Sequence, residues 1–73
     1  MTQQALFDAI NQTNVDIGMV NPVKVTHPFH APMAMTNLAA GMWVRNFPEN
    51  DNTRLIREQM QHLWFKGALK FDD

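Results

Sequence analysis

Seventy-three residues with six basic and seven acidic side chains, a net charge of −1 and no cysteine set narrow limits on what this chain does. A domain of this size removes only roughly 60% of its unfolded surface from water, and without thiols it has neither a disulfide staple nor a thiolate metal site. Near-neutral charge leaves at most a local patch for phosphate, so non-specific nucleic-acid binding is not its main business.

The first twelve residues are polar-rich and lack a basic stretch followed by an apolar run, which predicts no secretory leader. The most apolar segment, 32–44, is interrupted by Thr36 and Asn37 and falls short of the roughly 20 residues a membrane helix needs. A soluble, cytoplasmic chain with no membrane partner is expected. Six methionines and two tryptophans are many for so short a protein. Large, adaptable apolar groups in a small, lightly charged domain point to hydrophobic surface that another chain completes.

In chain order, the pattern predicts a mainly α fold. It has three helices in one small domain, with an extended or short β segment between the first and the second. Helix 2–13 is capped by Thr2, with Leu6, Ala9, Ile10 and Thr13 on one face and Phe7 at its edge. Asn11 and Asn14 weaken helix propensity toward its end. Residues 15–31 read as an extended arm, because Val15 to Val20 and Val23 to Thr26 alternate around the Asn21-Pro22 turn. His27 and Ala31, each preceding a proline, are expected to be extended. Helix 32–45 starts on Pro32, where the missing N–H costs nothing. It is apolar around most of its circumference and so reads as central, pairing with the last helix as an antiparallel hairpin.

Helix 53–66 carries the cleanest signal, with Leu55, Ile56, Met60 and Leu63 repeating at helical spacing and Asn52 as the cap. Gly67 offers a left-handed stop, and the tail 68–73 follows. Phe65 breaks the scheme. At about 100° per residue it falls beside Arg54, Glu58 and Gln61 on the polar face, either covered by Phe71 of the tail or offered to a partner.

Catalytic chemistry finds no foothold in this pattern. The hydroxyls are threonines without a glycine-rich elbow, and no phosphate-cradling motif occurs. The carboxylates at Glu49, Asp51, Asp72 and Asp73 suit capping or terminal positions. His27-x-x-His30, with His62 as a third ligand, invites a metal reading. Pro28 denies the pair a helical frame, and a closed zinc site needs a fourth ligand. No cofactor, metal or catalytic residue is therefore expected. The methionines at 33, 35 and 42 sit at helical spacing and read as core.

Partner binding is the stronger expectation. Trp43, Arg45, Phe47, Arg54 and Arg57 bracket the loop before the last helix. Aromatics interleaved with arginine stack on single-stranded bases and also populate protein–protein hot spots. With Glu58, Gln61 and Phe65 they make the candidate surface, although Trp43 and Phe47 also suit a core.

In length, charge, absence of cysteine and the aromatic set Trp43, Phe47, Trp64 and Phe65, the chain resembles the very small phage-encoded regulators that bind a host enzyme. It is most similar to those that bind host RNA polymerase. That resemblance implies a subunit of bacterial RNA polymerase as the partner, inhibition of initiation through disturbed sigma-factor engagement, and promotion of antitermination. Nucleic acid would be touched only secondarily, through Arg45, Arg54 and Arg57 within a complex. Anti-CRISPR proteins share these coarse properties, and a minor virion or self-assembling structural protein is the alternative of another kind.

Overall fold

The chain starts its first helix on a threonine. Thr2 sits in an extended conformation and its hydroxyl accepts from the Ala5 N–H at 3.1 Å, satisfying one of the free donors of the first turn. The computed structural model describes residues 2–44 and 47–71, residues 42–44 by their backbone, and places helix α1 at Gln3–Asp16, α2 at Ala31–Val44 and α3 at Asp51–Lys66. Among the described residues no strand forms, so the fold is mainly α with three helices, and the short β segment expected in the arm is absent.

α1 outlasts its expected end by three residues. Thr13 turns its hydroxyl back onto the Ala9 carbonyl at 2.7 Å, so a polar group at a fully buried position stays satisfied within the helix. Gln4–Asp8 and Gln12–Asp16 add hydrogen bonds across successive turns. The helix stops at Gly18, whose φ of 74° is the left-handed conformation glycine favours. Gly18 N–H donates to the Val15 carbonyl and Met19 N–H to that of Asn14, both at 3.0 Å. That is the paired bonding of a Schellman stop. Val15 and Asp16, expected in the extended arm, therefore belong to the last turn of α1.

α2 begins one residue earlier than expected, and Ala31 is helical rather than extended. A turn over 28–30 hands the Ala31 N–H to the Pro28 carbonyl, and the His30 carbonyl then accepts from Ala34. Pro32 falls within the first turn, where a donor is not missed. Ala31 is fully buried, which holds it in place.

α3 also starts earlier, and its cap is Asn50 rather than Asn52. The Asn50 side chain accepts from the Thr53 N–H while the Thr53 hydroxyl accepts from the Asn50 N–H, each at 3.0 Å. This reciprocal box uses threonine where glutamate is more usual. Asp51 and Lys66 complement the helix dipole at the two ends, and Gly67, with φ 76°, closes the helix as expected.

The core gathers Leu6, Phe7 and Ile10 of α1, Met35 and Leu38 of α2, and Ile56 and Met60 of α3. Phe7 is a full core member rather than an edge residue. The tightest pairing is α1 with α3, and α2 packs more lightly on both. The expected hairpin of the last two helices is thus not the main seam. The small residues that α2 packs against the core (Ala31, Ala34, Ala39) supply less area than the Leu, Phe and Ile side chains of α1. On α3, Leu55 and Leu63 are half-buried rather than central, and Thr53 and Gln59 take buried places the apolar pattern did not assign.

Two carboxamides tie the irregular segments down. Asn11 donates to the Val25 carbonyl at 3.0 Å and accepts from the Val25 N–H at 2.8 Å. Gln59 does the same to Lys70, at 2.7 and 2.9 Å. Each amide uses one N–H and its oxygen on the same residue, as a neighbouring backbone would. They fix the arm and the tail without a strand partner.

Candidate functional site

The exposed face of α3 follows from helical geometry. Arg54, Glu58, Gln61 and Phe65 recur at spacings of four, three and four residues, which keeps them in one row. Arg57 and Trp64, seven apart, make a second row beside it, with Gln61 between the two. The four polar residues of the two rows are exposed, Phe65 is 82% exposed and Trp64 61%.

The arginines are held by acids at the start of the helix. Arg57 Nη1 reaches Glu49 Oε1 at 2.6 Å, and Arg54 Nη1 reaches Asp51 Oδ1 at 3.3 Å. Exposed pairs of this kind add little stability, and they lie toward the N-terminal end of α3. The result is an α3 surface with charge near its beginning and two aromatics at its end.

The described tail residues, 68–71, do not cover Phe65. Their route is set on another face by the Gln59–Lys70 clamp and by His62 Nδ1 against the Ala68 carbonyl at 3.1 Å. Leu69 and Phe71 pack, half-buried, against the core. Of the two fates open to Phe65, exposure is the one observed.

Among the described residues the expected site does not form one surface. Phe47 is half-buried against the core, its ring edge 3.6 Å from where a Cβ on Gly41 would lie. It acts as a packing residue. The Trp43 side chain and Arg45 lie outside the described residues. Trp64 is the residue the pattern missed. It follows buried Ile56 by eight positions, which rotates it about 80° away from that residue. That drift was the available signal.

The His27, His30 and His62 set does not converge on a metal. Among the described residues no group of three or more possible ligands lies close enough to hold one. His27 Nδ1 instead accepts from the Phe29 N–H at 3.1 Å within the turn before α2. No helix among the described residues is long and apolar enough to cross a membrane. Comparison with protein-family models, curated proteins and solved structures gave no match for this chain.

Proposed function

We propose that this chain is a non-enzymatic interaction protein that docks on a larger bacterial machine and regulates it. RNA polymerase is the machine we name, with the chain acting as a phage-encoded inhibitor of initiation and an antiterminator. The observation that carries the reading is the exposed Trp64–Phe65 pair at the end of α3, on the side of the helix that carries Arg54 and Arg57 nearer its start. Aromatics and arginine dominate binding energy where protein surfaces meet. In the same reading Arg54 and Arg57 reach nucleic acid only after docking.

The test is direct. The chain is mixed with purified bacterial RNA polymerase, core enzyme and holoenzyme separately, and complex formation and promoter-dependent initiation are measured. A complex at micromolar concentration that inhibits initiation, and that Trp64→Ala and Phe65→Ala both weaken, supports the proposal. No complex, or one indifferent to both substitutions, overturns it.

A second reading, a self-assembling structural protein, draws on exposed apolar side chains away from α3, namely Val20, Val23, Phe29 and Met33. A large homo-oligomer on size exclusion favours it over the polymerase reading.

A further inference from the structure

Between the segment that follows α1 and the first half of α2 lies an open groove of about 420 Å³, within the size range of small-ligand sites. None of its lining residues belongs to α3, so it is separate from the surface discussed above. Met19, Pro22 and Val23 form one wall. His30, Met33, Ala34 and Asn37, spaced as one face of a helix, form the other. Met33, expected in the core from its helical spacing, is instead 74% exposed, an apolar side chain without cover at the groove's edge.

Two polar features mark what would fit. Asn14 lines the groove while only 5% exposed, and its Oδ1 has no hydrogen-bond partner. A buried acceptor left unmet is costly. The terminal torsion of asparagine is soft enough to turn that oxygen toward the groove. The second feature is charge. Lys24 lines the groove, pairs with no carboxylate among the described residues, and meets no aspartate or glutamate in the lining. Apolar walls, a waiting acceptor and an uncompensated cation together describe the complement of an apolar molecule that carries an N–H and a carboxylate.

We propose that this groove binds an acylated apolar amino-acid carboxylate, the chemistry shared by an N-acyl amino acid and by the C-terminal residue of a peptide. The ligand N–H meets Asn14 Oδ1, the carboxylate meets Lys24, and the side chain lies between Val23 and Met33.

N-acetyl-leucine is the minimal probe, titrated into the full chain and followed by amide NMR shifts. The expected result is saturable, millimolar binding, with shifts centred on Val23, Lys24, Met33 and Ala34. N-acetyl-leucinamide, which lacks the carboxylate, binds several-fold more weakly, as does the acid to Lys24→Gln. Asn14→Leu keeps or raises the melting temperature, because it removes an unmet acceptor, yet weakens the acid. A tetrapeptide ending in leucine separates the sources. Much tighter binding than N-acetyl-leucine identifies a polypeptide end, and equal binding identifies a free small molecule. Absence of groove shifts with either probe overturns the proposal, as does equal affinity for acid and amide. Neither outcome bears on polymerase binding by α3.

Discussion

At the scale of single residues, α3 separates two kinds of apolar side chain. Ile56 is fully buried in the core, whereas Phe65 and Trp64 stand in solvent. Ile56→Ala opens a cavity where neighbours relax only in part, and a cost of about 2–5 kcal/mol is expected, a large share of what a small domain has. Phe65→Ala removes little buried area, so its melting temperature should stay near that of the parent. Its loss should appear in affinity for a partner, by roughly 2 kcal/mol or more for an anchor. Leu63, which the helical pattern places inward with Leu55 and Met60, is half-buried, so Leu63→Ala should fall below Ile56→Ala. Thermal unfolding and affinity measured on the three variants check this ordering. Phe65→Ala melting as low as Ile56→Ala would refute the assignment of Phe65 to a docking surface.

At the scale of elements, what was legible in the sequence was local. Thr2 as a cap, Gly67 as a stop, three helices and the inward face of Ile56 and Met60 all follow from neighbours within a turn or two. The misplaced start of α3 is local too, but depends on recognising Asn50 with Thr53 as a capping box when threonine takes the usual place of glutamate. Asn50→Ala should cost about 1 kcal/mol, and Asn52→Ala much less, measured by denaturant unfolding. The arm and tail were beyond reach for another reason. Asn11 holds Val25 and Gln59 holds Lys70 across 14 and 11 residues, and a carboxamide on a helix looks like a solvated residue until its distant partner is known. Alternation in the arm suggested a strand, and Val25 does turn inward, but its backbone pairs with the Asn11 side chain rather than with a neighbouring strand. Asn11→Asp, which keeps size and shape, sets a carboxylate oxygen against the Val25 carbonyl. Amide exchange at Val25 should then accelerate far more than at Ile10 or Ile56. Uniform acceleration across all three would instead mean that the arm and core open as one unit.

At the scale of the whole molecule, the question is which force brings a partner in. The chain carries six basic residues and a net charge of −1. Arg54 and Arg57, on the exposed side of α3 that also carries the aromatics, already face Asp51 and Glu49, which leaves Lys66 as the cation next to Phe65. Binding carried by neutralised phosphates loses about 10³–10⁵ in affinity between 50 and 200 mM salt when 6–10 contacts are made. This surface cannot present that many free cations. An interface centred on Trp64 and Phe65 draws instead on apolar burial, which moderate salt leaves largely intact. Affinity for the partner should therefore fall by less than about tenfold over that salt range, the residual loss coming from one or two screened charge contacts. A titration of the complex at several salt concentrations gives the slope. Double-logarithmic slopes near zero to −1 fit docking through the aromatics. A slope steeper than about −4, or micromolar affinity for random DNA or RNA alone at physiological salt, would identify phosphate as the primary target and remove the case for Phe65 as the anchor.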